Sequence, residues 1–69
     1  MDGLRKVRLE RGLKQKEVAE ATGIKPSEYS HYENHIREPR IKTLLTLSEF
    51  FGVSIDYLVR GEEFQKPEM

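Results

Sequence analysis

The sequence predicts an all-α protein with a compact five-helix architecture, and three observations favour this class. The chain has 69 residues, which is enough for one domain with one small hydrophobic core. Apolar residues recur at helical spacing, and glycines stand where most of these helical stretches would end. No segment of convincing length shows the alternation of apolar and polar residues that is typical of a β-strand.

The first two helices are predicted in the amino-terminal third of the chain. Helix one ends at Gly12, and its apolar residues at helical spacing are Leu4, Val7 and Leu9. Helix two is expected over residues 15–22, with Val18 and Ala19 on its buried face. Gly23 ends this helix after about two turns.

Helix three is predicted to begin at Pro26, because proline fits the first helical position, where its missing N–H is not needed. Residues 27–34 would complete this helix and bury Tyr29 and Tyr32, which are three positions apart. The next segment, residues 35–40, contains the sequence Arg-Glu-Pro and is expected to form a loop.

Helix four has the strongest amphipathic pattern and is predicted to end at Gly52. Its expected apolar face consists of Ile41, Leu44, Leu45, Leu47, Ser48 and Phe51. Helix five would begin after Ser54, whose hydroxyl can cap the first turn, and would end at Gly61. We therefore expect a domain over residues 1–61 and a flexible tail over residues 62–69.

The charges are balanced in total but are unevenly distributed along the chain. Lys and Arg number 12, and so do Asp and Glu. Residues 1–16 contain six bases and two acids, a net +4, whereas residues 43–69 contain two bases and five acids, a net −3. A neutral protein with this dipolar pattern can present a basic face to a polyanion such as DNA.

Cysteine is absent, so no disulfide framework holds this small chain together. This composition suits a reducing compartment, and we expect a cytoplasmic location. The longest apolar runs, such as Tyr57-Leu58-Val59, are far shorter than the roughly 20 residues of a membrane span. The first ten residues do not have the pattern of a signal peptide, and no membrane partner is expected.

The middle of the chain carries the most informative pattern. Two helices of about eight residues are joined by a short turn that contains Gly23 and Ile24. A small residue at such a turn lets the second helix cross the first steeply, and Ala19 permits close approach of the two helices. A helix-turn-helix that binds DNA has this arrangement. Other helical hairpins also have a glycine after an amphipathic helix, so the pattern alone leaves both interpretations open.

Residues 4–61 resemble the Cro and phage-repressor type of helix-turn-helix domain, also called the XRE type. The matching pieces are Leu4-Arg5-Lys6-Val7-Arg8, Gly12-Leu13-Lys14-Gln15-Lys16-Glu17-Val18-Ala19, Gly23-Ile24, Tyr32-Glu33-Asn34, Arg37-Glu38-Pro39, Leu44-Leu45-Thr46-Leu47 and Gly52-Val53-Ser54-Ile55-Asp56-Tyr57-Leu58. The resemblance implies a lambda-repressor-like fold, with the helix-turn-helix at about residues 15–34. It also implies a sequence-specific DNA-binding transcriptional regulator, usually a repressor that binds a palindromic operator as a dimer.

The resemblance assigns several residues to contacts with DNA phosphates. Gln15, at the start of helix two, would contact a phosphate and brace helix three, whereas without the resemblance it would be interpreted as an exposed glutamine at a helix start. Asn34 matches a position that approaches a phosphate, and it can also cap the end of helix three. Arg40 and the backbone N–H of Ile41 stand where helix four opens towards DNA. Arg40 is also long enough to reach a narrow minor groove.

Cationic residues occupy two predicted helix starts, where family members usually have an N-cap side chain. Lys14 precedes helix two and Lys25 precedes helix three, and each opposes its helix dipole at a cost of about 0.3 to 1 kcal/mol. This cost is understandable if a phosphate binds there. We therefore expect Lys14, Lys25 and the neighbouring Lys16 to contact phosphates.

Sequence reading is expected on the exposed face of helix three. The candidates for contacts with DNA bases are Lys25, Pro26, Ser27, Glu28, Ser30 and His31. Pro26 can touch a thymine methyl group, and His31 is the residue most expected at a base edge. Glu28 has three possible roles: it can accept from cytosine, pair with Lys25 or stabilise the first helical turn, and the last two are favoured jointly.

Arg8 and Glu33 match a family ion pair that links helix one to the end of helix three. We interpret this pair as structural, because a bidentate contact would position helix three rather than read bases.

The rival interpretation of His31 is a metal site or catalysis. His31 and His35 are four residues apart, but Tyr32 stands where a zinc protease helix has a glutamate, and a third ligand is not evident. A core this small offers little volume for an enclosed active site. We expect no metal, no cofactor, no small-molecule ligand and no enzymatic activity.

A second hypothesis is protein interaction through the last helix and the tail. Tyr57, Val59 and Phe64 are the candidate dimer interface, although Phe50 and Tyr57 could equally close the core of the monomer. A dimer would place two recognition helices about 34 Å apart, one turn of DNA. An adaptor or antitoxin-type module of the same fold, which acts mainly on a protein partner, is the alternative function.

Overall fold

The computed structural model describes residues 1–62, and within this range the chain forms five helices and no strand. The helices are α1 (Asp2–Glu10), α2 (Gln15–Thr22), α3 (Pro26–Glu33), α4 (Ile41–Phe51) and α5 (Ile55–Arg60). The predicted all-α class with five helices is therefore confirmed. Residues 63–69 of the expected tail, including Phe64, lie outside the described residues. Among the described helices, none is both long and apolar enough to cross a membrane.

One hydrophobic core joins all five helices. The helix α1 packs against α5 and α3, while α2 packs against α3 and α4. The buried apolar residues are Met1, Leu4, Val7, Val18, Ala19, Tyr29, Tyr32, Leu47, Phe51 and Leu58. Burial of a large apolar side chain contributes about 1.5 to 3 kcal/mol before conformational entropy is subtracted. Tyr29 and Tyr32 are buried as their spacing predicts, so α3 is anchored from one side only.

Three residues that the apolar pattern placed on buried faces are exposed. In α4 the buried face is narrower than expected, because Leu47 and Phe51 are buried while Ile41 is 73% exposed and Leu45 is 48% exposed. In α1, Leu9 is 56% exposed. Leu9 stands two positions after Val7, which turns it about 200° around the helix and away from the core.

Close contact between α1 and α5 depends on Gly3. A Cβ atom built on Gly3 would lie 1.7 Å from the carbonyl oxygen of Tyr57, which is far inside van der Waals contact. The carbonyl belongs to the backbone of α5, so it cannot move aside as a flexible side chain would. Any larger residue at this position would therefore separate the two helices.

The loop after α3 turns sharply at His35. This residue has φ 61°, a left-handed conformation that is uncommon for a residue with a side chain. Its ring lies against the start of α1, with Nδ1 3.2 Å from the backbone nitrogen of Met1 and Nε2 2.9 Å from Asp2 Oδ1. His35 therefore leaves the helical face of His31. Within residues 1–62 no group of three or more residues with metal-binding side chains comes together.

Candidate nucleic-acid interface

The helices α2 and α3 form a helix-turn-helix. Gly23 ends α2 with φ 75°, which glycine adopts without the strain that a Cβ would cause. Ile24 then donates its backbone N–H to the carbonyl of Ala19 at 3.1 Å and closes the turn. Val18 and Ala19 are buried under α3, so the small side chain of Ala19 allows the close crossing that its sequence position suggested.

The outer face of α3 is free of the core. Lys25, Pro26 and Ser27 are exposed at its start, and Glu28, Ser30 and His31 are partly exposed along its length. The opposite face holds the buried residues Tyr29, Tyr32 and Glu33. All six residues predicted to contact bases are therefore at least partly accessible from outside the protein.

Three helices begin at a cationic residue, and we call Lys14, Lys25 and Arg40 the cationic helix starts. Each precedes its helix in an extended conformation, and in the described residues none of the three side chains makes a capping hydrogen bond. A lysine or arginine side chain has no acceptor for the free N–H groups of the first helical turn. At the start of α2 the backbone N–H of Lys14 donates to Glu17 Oε1 at 2.9 Å, and α3 has Glu28 in its first turn, whereas α4 has no acid there. The three helix ends thus combine a cationic side chain with first-turn N–H groups that this side chain cannot satisfy, which is chemistry suited to phosphate.

The cationic helix starts lie near the other residues predicted to contact phosphates. Gln15 donates from Nε2 to Glu33 Oε1 at 3.1 Å, which brings the start of α2 to the end of α3, next to Asn34. Arg40 shares a surface groove with Glu28 on α3. Asn34 ends α3 and donates from Nδ2 to Ser30 Oγ at 3.1 Å, so its amide keeps a second hydrogen for another acceptor.

An ion pair beneath this surface fixes the end of α3. Arg8 Nε lies 2.6 Å from Glu33 Oε2, and Arg8 Nη2 donates to Glu33 Oε1 at 3.0 Å, so the contact is bidentate. Arg8 Nη1 also donates to the carbonyl of Leu13 at 2.9 Å. Glu33 is 4% exposed, and its carboxylate also accepts the hydrogen bond from Gln15. The structure thus connects α1, the start of α2 and α3 through a single carboxylate.

The electrostatics of this pair keep both groups charged. Burial alone would raise the pKa of Glu33, but the hydrogen bonds from Arg8 and Gln15 outweigh it and hold that pKa below its ordinary value. The hydrogen bond to Glu33 raises the pKa of Arg8. Burial, and then the neighbouring Glu33 carboxylate, raises the pKa of the Tyr29 hydroxyl, which therefore stays neutral.

The residues predicted to form a dimer interface are not equivalent in the structure. Tyr57 is partly buried against α1, with the Lys6 ammonium 5.6 Å from its ring and its hydroxyl 3.4 Å from Glu10 Oε1. Val59 is exposed and lines a groove with Tyr32 and the loop after α3. Sequence reasoning also overlooked Arg37, which lines this groove and the one that contains Arg40. Its sequence signals are its place in the Arg37-Glu38-Pro39 piece of the resemblance and its positive charge in that loop.

Two short helices joined by a tight turn, with an exposed outer face on the second helix, are the arrangement of the helix-turn-helix class of DNA-binding domains. A family model described as "Helix-turn-helix" matches residues 4–58, and the chain belongs to this family. The resemblance to the Cro and phage-repressor type and the lambda-repressor-like fold are thereby confirmed.

Three relatives show what the chain is similar to. It is 40% identical over 65 residues to the HTH-type transcriptional regulator YqaE of Bacillus subtilis, covering 94% of this chain and 56% of the relative. It is 41% identical over 63 residues to the HTH-type transcriptional regulator ImmR of the same organism, covering 91% and 50%. It is 38% identical over 60 residues to the cryptic phage CTXphi transcriptional repressor RstR of Vibrio cholerae, covering 87% and 54%.

The chain spans about half the length of these curated relatives. No solved structure matches the chain significantly.

Proposed function

We propose that the protein is a sequence-specific regulator of transcription that binds double-stranded DNA, with α3 in the major groove. The observation that carries this proposal is the free outer face of α3, which lies between the cationic helix starts. An α-helix fits the major groove, where each base pair presents a distinct pattern of donors and acceptors. The relatives named as transcriptional regulators support the same conclusion.

Base reading is assigned to the outer face of α3. Its ring nitrogens make His31 the main candidate for a hydrogen bond to a base edge, and Ser27 and Ser30 supply hydroxyls beside it. Pro26 offers an apolar ring to a thymine methyl group. Glu28 supports the first turn of α3 and, with Lys25 at its start, completes the set of six base-reading candidates.

Phosphate binding is assigned to groups that flank α3. On one side these are Lys14, Gln15, Lys16 and Asn34, and on the other they are Arg40 and the backbone N–H of Ile41. Lys25, at the start of α3, is assigned a phosphate contact in addition to its place among the base-reading candidates. Such contacts fix the orientation of the protein on the duplex without reading its sequence. The ion pair between Arg8 and Glu33, together with Gln15, holds the start of α2 against the end of α3.

Repression by occupation of a palindromic operator is the proposed mechanism, with a homodimer as the binding unit. Two copies related by a twofold axis would place their α3 helices about 34 Å apart. Val59 is the described residue best suited to the contact between copies, since it is exposed beside the groove at the loop after α3. Tyr57 and Phe64 are proposed to support this interface. A repressor of this kind acts on DNA in the cytoplasm and needs no cofactor.

Selection of bound sequences from a random duplex library tests the proposal. The wild-type protein should select a palindromic sequence. The His31→Ala variant should relax the preference at one or two positions in each half-site, because it loses a base contact. The Lys25→Ala variant should weaken binding to all sequences to a similar degree, because it loses a phosphate contact.

The alternative is an adaptor or antitoxin-type module that acts mainly through a protein partner. One observation favours it, namely the exposed apolar side chains of Ile36, Ile41, Leu45, Phe50 and Val59. A failure to enrich any duplex sequence, or binding with little dependence on salt concentration, would contradict operator binding and favour this alternative.

A further inference from the structure

A groove between α1 and the end of α3 lies beside the proposed interface and has no role in it so far. Its lining comes from one side of α1 and from the residues that end α3, and these residues are Asp2, Arg5, Lys6, Leu9, Glu33, Asn34 and His35. Asn34, a proposed phosphate contact, therefore forms part of the wall. A ligand that contacts Asn34 from within this groove would therefore also contact α1.

The groove is lined by two cationic side chains, Arg5 and Lys6. Its two carboxylates already have partners, since Asp2 Oδ1 lies 2.9 Å from His35 Nε2 and Glu33 is held by Arg8. Lys6 is also engaged, because it donates to the carbonyl of Gly61 at 3.0 Å. Within residues 1–62, the Arg5 guanidinium has neither a hydrogen bond nor an ion pair. Arg5 is therefore the available anion-binding group of this groove.

We propose that this groove is a further binding site for the DNA backbone, in which Arg5 contacts a phosphate next to the one that Asn34 contacts. This inference rests on the proposed function. A guanidinium presents several N–H donors in one plane and binds phosphate with two hydrogen bonds. Leu9, exposed on the same side of α1, adds an apolar surface against which the deoxyribose can lie.

The site extends the footprint of the protein beyond the helix-turn-helix. The cationic helix starts bind the backbone beside α3, whereas Arg5 would bind it at the outer edge of each half-site. Such a contact contributes affinity without sequence preference. Arg5→Gln should therefore weaken binding to every duplex and leave the selected sequence unchanged.

The experiment measures duplex affinity over a range of salt concentrations for the wild-type protein, Arg5→Gln, Arg5→Lys and a control. The control is Arg60→Gln, which removes the same charge from an arginine of α5 that does not line the groove. Arg5→Gln should weaken binding roughly tenfold at low salt and reduce the slope of log K against log salt by about 0.9 per protomer. Arg5→Lys should restore most of the slope, and Arg60→Gln should leave it unchanged.

A second measurement uses duplexes with one neutral methylphosphonate linkage at each successive position. At the linkage that Arg5 contacts, the wild-type protein should lose affinity and the Arg5→Gln variant should not. Thermal unfolding of both proteins should show that they are equally folded, since Arg5 is exposed.

The possible failures are distinguishable. If the wild-type protein binds no duplex, the proposed function fails and the inference fails with it. If it binds steeply with salt but Arg5→Gln has the same slope, only the inference is overturned. If no methylphosphonate position gives a loss of affinity that is present in the wild-type protein and absent in Arg5→Gln, then Arg5 contacts no phosphate, and the inference is again overturned.

Discussion

The contact between α1 and α5 and the surface around α3 differ in how well their helix starts are capped. Where α1 meets α5, two local features favour stability: Gly3 lets the backbones approach closely, and Ser54 caps α5 by accepting the N–H of Tyr57 at 3.0 Å. Around α3, the starts of α2, α3 and α4 have lysine or arginine at the capping position. A protein that needed only to fold would have serine, threonine, asparagine or aspartate there. This contrast supports the proposal that the second region binds an anion, the DNA phosphate.

The largest effect is expected from Gly3→Ala. The added methyl group would collide with the Tyr57 carbonyl, so α1 and α5 must separate. We expect a loss of roughly 3 kcal/mol or more in the free energy of unfolding, which is a large part of the stability of a chain of this size. Denaturant titration measures the loss. Gly12→Ala is a suitable control for the methyl group itself. The space around Gly12 is open, so the alanine would meet no atom and would be strained only by the positive φ of this position. Equal losses in the two variants would contradict the account of the α1–α5 contact.

The second-largest effect is expected from Glu33→Gln, which removes the carboxylate charge that links α1 to the end of α3. Arg8 would remain partly buried without its carboxylate, at a cost of about 2 kcal/mol. A double variant, Arg8→Met with Glu33→Gln, should recover part of this loss because it removes the unpaired charge. A double variant less stable than either single variant would contradict the interpretation.

The same pair predicts a pH dependence. The folded protein holds the pKa of Glu33 below its ordinary value of 4.5, so the unfolded chain binds a proton more readily than the folded one. The stabilisation is complete above pH 4.5 and is lost as the pH falls through the lower pKa of the folded state. Unfolding free energies measured from neutral to acidic pH should therefore fall less steeply for Glu33→Gln than for the wild-type protein. Parallel curves would show that Glu33 is not held in this way.

Substitutions at two capping positions, Ser54 and Lys25, are expected to change the stability of the protein by smaller amounts and in opposite directions. Ser54→Ala should destabilise the protein by about 1 kcal/mol, because the N–H of Tyr57 loses its acceptor. Lys25→Ser should stabilise it by about 0.5 to 1 kcal/mol, because serine supplies an acceptor and removes an unfavourable charge. The same Lys25→Ser variant should bind DNA more weakly. Thermal unfolding and duplex titration of both variants test the comparison, and a destabilised Lys25→Ser protein would contradict it.

The sequence predicts the helices well because their ends are encoded locally. Gly23, Gly52 and Gly61 each have positive φ at a helix end, and Ser54 caps α5 as its residue type suggests. Packing between distant segments is not encoded locally. Nothing near Gly3 indicates that its missing side chain makes room for α5, and nothing near His35 indicates its left-handed backbone.

The candidate site also combines features that the sequence encodes locally with features that depend on packing between distant segments. The cationic helix starts can be found from sequence, since they are the residues immediately before predicted helices. The apolar pattern overestimates the buried face of α4, because Ile41 and Leu45 lie outside the narrow contact that Leu47 and Phe51 make. The groove beside Arg5 is invisible to sequence reasoning, since it depends on how α1 lies against the end of α3.

The most direct test of the central claim is the salt dependence of operator binding when the cationic helix starts are replaced together. The Lys14→Ser, Lys25→Ser and Arg40→Ser triple variant should fold at least as stably as the wild-type protein, because each serine can cap its helix. If these residues bind phosphates, the slope of log K against log salt should become shallower by about 2.7 per protomer, at about 0.9 for each phosphate. A triple variant that folds and keeps the wild-type slope would contradict the account.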